Sequence, residues 1–207
     1  MSDPAMKIPA RMSVAEFVVW NAPDGRRWQL VDGVPEAMAP SRRTHGAIQN
    51  ELGRLIGNHL IERASPCSVI AEPGIVPRVW ADFNFRIANL AVTCSTYVEE
   101  EFALSDPVLI IEILSPNNEA ETWSNVWTYT TIPSVLEIVV VSSVFVRADL
   151  LRRLPDGSWP EKPDVIEDAE LSLESIEFRV PLRAIYRTTR LAGRRSYQRA
   201  ERLTCYP

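Results

Sequence analysis

Three short apolar runs between residues 85 and 141 restrict the fold more than any other feature of the chain. They cover residues 87–92, 108–114 and 136–141. Runs of this length that are rich in Val and Ile and bounded by polar residues are typical of buried β-strands. The segment 119–129 is predicted to be a helix, and its expected buried face consists of Trp123, Val126, Trp127 and Thr130. The block therefore predicts two strands, a crossover helix and a third strand, which is an α/β arrangement.

Polar side chains near these strand ends are candidates for a functional site, because open α/β sheets hold ligands beside a crossover helix. The candidates are Asn89, Glu112, Ser115 and Asn125. Glu112 stands out, since a carboxylate in an apolar strand costs free energy unless it is paired or bound to a cation. It is predicted to bind a hard metal ion; the competing interpretation is a partly exposed strand end that pairs with an arginine. Ser115 alone is better explained as a turn or helix-capping residue.

The size and composition of the chain predict one soluble domain. Its 207 residues are 46% hydrophobic, which is enough to bury a core. The net charge of −5 argues against broad electrostatic binding of nucleic acid, although a local basic patch is compatible with it. No apolar run approaches the ~18 residues of a membrane span, and the N-terminus lacks a signal-peptide core. We therefore expect a cytoplasmic protein without a membrane partner.

The three cysteines, Cys67, Cys94 and Cys205, have no metal-ligand spacing. Cys67 and Cys94 lie next to apolar runs. Small buried thiols in a reducing compartment are therefore predicted in preference to a disulfide.

Capping and turn signals predict the start of the domain. Residues 1–12 are expected to be disordered, and the domain is expected to span residues 13–190. Ser13 and Glu16 form a capping box that begins a short helix. Asp32-Gly33 between two apolar arms is typical of a type I′ hairpin turn, and Pro35 places the second arm at a sheet edge.

The longest predicted helix covers about residues 44–63. Arg42, Arg43 and His45 lie at its first turn, where free backbone amides favour an anion. These side chains are either phosphate contacts or ordinary solvated charges. For His45 the alternatives are a general base or phosphate ligand and a histidine that packs against the sheet. The apolar stripe of the helix comprises Ala47, Ile48, Leu52, Leu55, Ile56, Leu60 and Ile61.

The rest of the chain predicts further strands and a basic tail. Residues 191–207 carry four arginines and one glutamate without periodicity, which is typical of a solvated tail. Strands are expected at residues 67–70, 74–79 and 171–173, a hairpin with an exposed arm at 147–159, and a last strand with a closing turn at 178–185.

Six motifs follow one another along most of the chain. They are MSVAEF at residues 12–17, WQLVDGVPEAMAP at 28–40, His45, RIANLAV at 86–92, DPVLIIEILSP at 106–116 and YTTIPSVLEIVV at 129–140. Their order and spacing resemble the Uma-two family of restriction-endonuclease-like proteins, within the PD-(D/E)XK nuclease superfamily. The resemblance covers about residues 12 to 190.

The resemblance implies a restriction-endonuclease-like α/β fold, in which helices flank a mixed β-sheet, with an N-terminal hairpin and one long helix. It also implies a magnesium or manganese ion at the strand ends, held by an aspartate and a glutamate, and a lysine that helps to activate water. The glutamate falls on Glu112 and the aspartate on Asn89. The lysine falls on Asn125, four residues before Tyr129, and a further family glutamate falls on Gln29.

The implied catalytic residues are therefore Glu112, Asn89, Asn125 and His45, with Glu112 and Asn89 as metal ligands. Amides at three of the matched positions leave a single carboxylate, whereas magnesium selects anionic oxygen ligands. The resemblance implies a metal-dependent DNA endonuclease whose active site is eroded in this chain. The alternative is a catalytically inactive nuclease-fold protein that binds nucleic acid or a protein partner. Asp32 and Glu72 are candidate substitute acids, and a homodimer is the assembly that the resemblance suggests.

Overall fold

The computed structural model describes residues 8–193, which form four α-helices and twelve β-strands. The helices are α1 (Val14–Val18), α2 (Arg43–Glu62), α3 (Glu119–Tyr129) and α4 (Leu182–Ile185). The strands are β1 (Trp28–Val31), β2 (Val34–Ala37), β3 (Ser68–Ala71), β4 (Gly74–Ile75), β5 (Arg86–Ile87), β6 (Leu90–Thr93), β7 (Pro107–Leu114), β8 (Glu137–Ser142), β9 (Arg147–Arg152), β10 (Asp164–Glu167), β11 (Glu170–Leu173) and β12 (Phe178–Pro181). Short 3₁₀ helices cover Ala81–Phe83 and Glu174–Ile176.

Six strands form the central sheet, in the order β10-β9-β8-β7-β6-β3. β7 and β8 are parallel, and the other neighbouring pairs of this sheet are antiparallel. α3 is the crossover between β7 and β8, as parallel strands require. The carboxyl ends of β7 and β8 therefore lie at one edge of the sheet. The predicted α/β class, with helices flanking a mixed sheet, is confirmed.

Both faces of the sheet are covered, which explains why the central runs are apolar without interruption. On β7, Leu109, Ile111 and Ile113 belong to the core that also contains residues of α2 and α4. Ile110 belongs to a second core, which it shares with Val126 and Tyr129 of α3. Since side chains alternate along a strand, Glu112 is on the same face as Ile110 and is directed towards α3.

The N-terminal hairpin agrees with its sequence signals. Asp32 and Gly33 have φ angles of 50° and 84°, the positive values that a type I′ turn requires. β1 and β2 form a two-stranded antiparallel sheet with Pro35 in the second strand, and the capping box of Ser13 is present. Met12 was expected to be disordered, but it is 5% exposed and its amide donates to the carbonyl oxygen of Gly33 at 2.7 Å. Met12 is therefore part of the packed domain.

Three predicted strands were wrong in extent or position. The run 87–92 is divided between β5 and β6, because Asn89 turns its side-chain oxygen towards the backbone amide of Ile113. The strand predicted at 74–79 is only the short β4. The arm predicted around Trp159 is not a strand, since the Trp159 indole donates to the carbonyl oxygen of Thr130 and lies against Arg153. β10 pairs with β9 in its place.

The crossover helix α3 has the predicted bounds, and its buried face differs in part from the predicted one. Its buried residues are Thr122, Asn125, Val126 and Tyr129, whereas Trp127 is 44% exposed. Of the predicted face, Val126 is buried and Trp123 packs against the second core, so the prediction was wrong for Trp127 and missed the polar side chains of Thr122 and Asn125. In α2, likewise, Ile61 of the predicted stripe is 79% exposed, while Glu51 is buried with Arg54 and Arg187 as its partners.

Cys67 and Cys94 form a disulfide between the ends of β3 and β6, so the prediction of buried thiols was wrong. Ser68 pairs with Thr93 in the antiparallel ladder, which brings the next residues, Cys67 and Cys94, opposite each other. Cys94 is exposed and Cys67 is half-buried. The two residues are 27 positions apart, and their proximity depends on a strand register that the sequence does not reveal.

The packed part of the chain extends at its C-terminal end into the segment that was predicted to be a solvated tail, residues 191–207. Leu191 is 8% exposed and belongs to the core that contains residues of α2 and α4. The other residues of the predicted tail from 194 onwards, and residues 1–7 of the predicted disordered start, lie outside the described residues. Between residues 8 and 193, no helix has the length and apolar character that a membrane crossing needs.

We expect reduction of the Cys67–Cys94 disulfide to lower the free energy of unfolding by about 3 kcal/mol, because the bond closes a loop between residues 27 positions apart. Urea unfolding with and without a thiol reductant measures the difference. The double variant Cys67→Ser/Cys94→Ser is the control. Its free energy of unfolding should equal that of the reduced wild type and should not change when the reductant is added. Equal stability of oxidised and reduced wild type would contradict a bond between these two residues.

Candidate functional site

A cleft of about 200 Å³ opens at the carboxyl end of β7, beside the first turns of α2 and α3. The four side chains proposed from the sequence, His45, Asn89, Glu112 and Asn125, all line it. The segments before α2 and before α3, one residue of β5 and the first turn of α3 supply the rest of its wall. The other lining residues are Met38, Ala39, Pro40, Ser41, Arg42, Ile87, Ser115, Asn117, Asn118, Glu121 and Thr122.

Glu112 is 6% exposed and bonds to a tyrosine rather than to an arginine. The Tyr129 hydroxyl of α3 donates to Glu112 Oε1 at 2.9 Å. Burial raises the pKa of Glu112 to about 8, against the hydrogen bonds from Tyr129 and from the Asn89 backbone amide, which lower it. The nearby carboxylate of Glu121 raises this pKa further. Glu112 therefore carries a proton in most molecules at neutral pH.

Asn89 is held by hydrogen bonds on every side. Its Oδ1 accepts from the backbone amide of Ile113 at 2.7 Å, and its Nδ2 lies 3.0 Å from Nε2 of His45. Its backbone oxygen accepts from Gln49 Nε2 at 3.1 Å and from the Glu72 amide at 3.0 Å. Because a backbone amide can only donate, Oδ1 must face Ile113 and the side-chain NH₂ must face His45. The Asn89 oxygen is thus already used as an acceptor within the protein.

This arrangement determines the tautomer of His45, which is 5% exposed. The Asn89 NH₂ donates to Nε2, so Nε2 is unprotonated and the ring proton lies on Nδ1. Nδ1 is 3.4 Å from Oγ of Ser115, a long contact. Burial lowers the pKa of His45, while the negative charge of Glu72 partly offsets the shift. The imidazole is accordingly neutral, and both of its nitrogens face protein groups.

Asn125 is 6% exposed, and its side-chain amide makes no hydrogen bond to residues 8–193; its Oδ1 is buried. Gln29 is 1% exposed and does not line the cleft. It donates from Nε2 to Glu121 Oε1 at 2.7 Å, and its own Oε1 is buried without a partner in the described chain. Two of the matched amide positions thus retain an unused acceptor.

The residues present do not fit a hard divalent cation. Among the described residues, no three His, Cys, Asp or Glu side chains are grouped so that they could hold a metal ion. Among the matched positions Glu112 is the single carboxyl group, and amides occupy the other three, Gln29, Asn89 and Asn125. The two candidate substitute acids do not line the cleft, since Asp32 bonds to Asn84 and Glu72 pairs with Arg27. Magnesium in proteins is usually held by one or two carboxylates together with water and substrate phosphates, and the carboxylates in this lining are the buried Glu112, bonded to Tyr129, and Glu121 at the rim, bonded to Gln29.

Sequence reasoning missed the role of Tyr129 and the contribution of Glu121. Tyr129 was part of a motif, but its contact with Glu112 depends on the rotation of α3. Glu121 lies on the exposed rim of the cleft, in the first turn of α3. Ser115 matches its predicted turn role, since its amide donates to Asn118 Oδ1 at 2.9 Å. Arg42, for which a phosphate contact and a solvated charge were the two alternatives, lines the cleft.

A solved structure has the same fold. It is described as a putative nuclease belonging to DUF820 from Anabaena variabilis, and it superposes with a TM-score of 0.68 at 14% sequence identity. The match covers 84% of this chain and 97% of that chain. The protein therefore belongs to the same α/β fold class as that chain.

The sequence comparisons identify the family within this class. The model of the Uma2 family, described as putative restriction endonuclease, matches residues 14–183. The chain belongs to the Uma2 family, as its motifs predicted. An uncharacterized protein of Synechocystis sp. is 26% identical over 179 residues, which are 86% of this chain and 92% of that relative.

We expect Asn89→Asp to raise the pKa of His45 by about one unit or more. The carboxylate would accept a hydrogen bond from the protonated Nε2 of His45 and so stabilise the imidazolium. The titration of the imidazole C–H signals by NMR measures this. His59 is the other histidine of the chain and serves as the internal reference. If His45 titrates as in the wild type while the fold is intact, the Asn89–His45 contact is wrong.

Proposed function

We propose that this Uma2-family chain is a PD-(D/E)XK-type endonuclease with an eroded active site. It binds DNA at the cleft described above, and its metal-dependent hydrolysis of phosphodiester bonds is largely lost. The proposal includes a homodimer, as the resemblance implies, and the cytoplasmic location predicted from the sequence. It is supported by the nuclease-like fold, the family match and the convergence of Glu112, Asn89, Asn125 and His45 on one cleft.

The hydrogen bonds of the Asn89 side chain are the main support for the loss of metal-dependent activity. A magnesium or manganese ion would supply an activated water and charge stabilisation in a nuclease of this type. The position that would provide its second carboxylate is instead an amide whose oxygen bonds to Ile113 and whose nitrogen bonds to His45. A neutral and already bonded group adds little affinity for a divalent cation. With Asn125 in place of a lysine, no positive side chain is available at that position to activate water.

Two arginines support DNA as the ligand. Arg42 and Arg43 lie at the start of the 20-residue helix α2, are exposed, and make no ion pair with the described residues. The N-terminal amides of α2 have no side-chain cap from Arg42. Free helix amides and unpaired guanidinium groups both favour an anion, and Arg42 lines the cleft. A backbone phosphate at this rim would bring the nucleic acid across the cleft.

We expect purified wild type to nick supercoiled plasmid at least ~10²-fold more slowly, with magnesium or manganese, than the restored variant Gln29→Glu/Asn89→Asp/Asn125→Lys. The restored chain regains acidic ligands and a general acid–base group, which are worth about this factor. Gel analysis of plasmid nicking measures the rates. Adding Glu112→Gln to the restored variant is the matched control and should abolish the gained activity.

Two results would overturn the erosion hypothesis. One is efficient metal-dependent nicking by wild type that Glu112→Gln abolishes. The other is a restored variant that folds, binds metal and nicks no faster than wild type. An inactive wild type that still binds DNA agrees with the proposal.

We expect Arg42→Ala/Arg43→Ala to weaken DNA binding and to make the plot of log affinity against log salt shallower by about two, because each lost phosphate contact removes about one unit of slope. Fluorescence anisotropy with a labelled duplex at several salt concentrations measures both effects. Arg190→Ala removes an exposed arginine outside the cleft and should leave both unchanged. Identical behaviour of the two variants would contradict a phosphate contact at the start of α2.

A further inference from the structure

We propose that the cleft holds a single unpaired nucleobase of the bound nucleic acid, and that the Asn125 amide hydrogen-bonds to the edge of this base. The inference rests on the proposed function in so far as that function makes nucleic acid the ligand. It differs in assigning the centre of the cleft to a base rather than to a metal-bound phosphate.

The Asn125 side chain is the main support. It is 6% exposed, lines the cleft, and forms no hydrogen bond with the described residues. Its neighbour Val126 and the tyrosine one turn later, Tyr129, are fully buried, so α3 cannot turn the amide out to solvent. Leaving the Oδ1 atom desolvated and unpaired costs free energy that a hydrogen-bond donor of a bound base would recover. An amide presents one acceptor and two donors, which match the edges of nucleobases.

The rest of the lining also suits a base. The apolar side chains of Met38, Pro40 and Ile87 can cover its faces, and Thr122, Asn117 and Asn118 add hydroxyl and amide groups. Enzymes that take up a flipped base use the same combination of apolar contacts and edge hydrogen bonds. A cleft of about 200 Å³ has room for one base.

The charged side chains of the cleft indicate on which side the phosphate binds and on which side the base binds. Glu121 is exposed at the rim on α3, where its carboxylate would repel a phosphate. Arg42, at the start of α2, attracts one. The backbone is thus expected to follow the α2 side, with the base directed towards Asn125.

Phe145 can stack on the next base. It lies in the turn after β8, at the same sheet edge as the carboxyl end of β7. Ser142 Oγ accepts from the amides of Val144 and Phe145, both at 3.2 Å, and so holds the turn, while Ser143 Oγ is 3.5 Å from Oγ of Ser115 in the cleft wall. The Phe145 ring is nevertheless 63% exposed. Exposed aromatic rings beside a cleft are stacking platforms for single-stranded nucleic acid.

Free nucleosides test the cleft without any phosphate. Adenosine, cytidine, guanosine and thymidine are titrated into the full chain, and binding is followed by NMR shifts and calorimetry. We expect at least one to bind saturably, with Asn125→Leu weakening it about five- to tenfold through the loss of its hydrogen bonds. Asn58→Leu alters an exposed asparagine of α2 outside the cleft and should have no effect. Asn125→Ala provides a second variant if Asn125→Leu does not fold.

Oligonucleotides test the unpaired state and the stacking contact. A single-stranded octamer should bind more tightly than its duplex. Phe145→Ala should weaken binding of the octamer about fivefold or more and should leave nucleoside binding unchanged. Phe102→Ala is the matched control, because Phe102 is 64% exposed and does not line the cleft.

The failures of the two proposals are distinguishable. If DNA binds but no nucleoside does, or if the Asn125 variants bind nucleosides as wild type does, the base site is wrong and the proposed function stands. If neither duplex nor single strand binds, the proposed function fails and the base site fails with it as a nucleic-acid contact. Tighter binding of duplex than of single strand also overturns the base site.

Discussion

The hydrogen bond between Tyr129 and Glu112 is the interaction on which the cleft depends. Glu112 lies in a strand that is buried on both faces, where a carboxyl group is tolerated only if it is neutral or well bonded. Burial favours the protonated form, and the hydroxyl of Tyr129 satisfies one of the two carboxyl oxygens. The rotation of α3 over the sheet is set by the packing of Val126 and Tyr129, which are fully buried in the core on this face. One helical turn before Tyr129, that rotation directs Asn125 into the cleft wall.

Asn89 connects the other side of the cleft in a comparable way. It lies in the short connection between β5 and β6, bonds to β7 through Ile113, and bonds to α2 through His45 and Gln49. An aspartate could not donate to His45, so the present network suits an amide and a neutral imidazole. The local hydrogen bonding is therefore consistent with an asparagine at this position, and it leaves the cleft with little negative charge. A cleft of amides, hydroxyls and apolar side chains is better matched to a base than to a divalent cation.

Much of the fold followed from local signals. The capping box at Ser13, the positive φ angles of Asp32 and Gly33, and the bounds of α3 are decided by neighbouring residues, and each was predicted correctly. The convergence of His45, Asn89, Glu112 and Asn125 on one cleft also agrees with the motif spacing. What was missed depends on partners distant in the chain. The Cys67–Cys94 disulfide requires the register of β3 on β6, and the buried face of α3 requires knowledge of Glu112.

The sequence by itself determined the α/β class, the order of the central strands and helix, the family, and the replacement of acids and a lysine by amides. These are properties of apolar runs, turn residues and motif spacing, which are written locally along the chain. Only the tertiary structure decided which atom of Asn89 faces His45, that Glu112 is protonated beside Tyr129, and that the Asn125 amide has no partner in the described chain. Those facts depend on desolvation and hydrogen-bond geometry, which exist only after segments far apart in sequence have packed together.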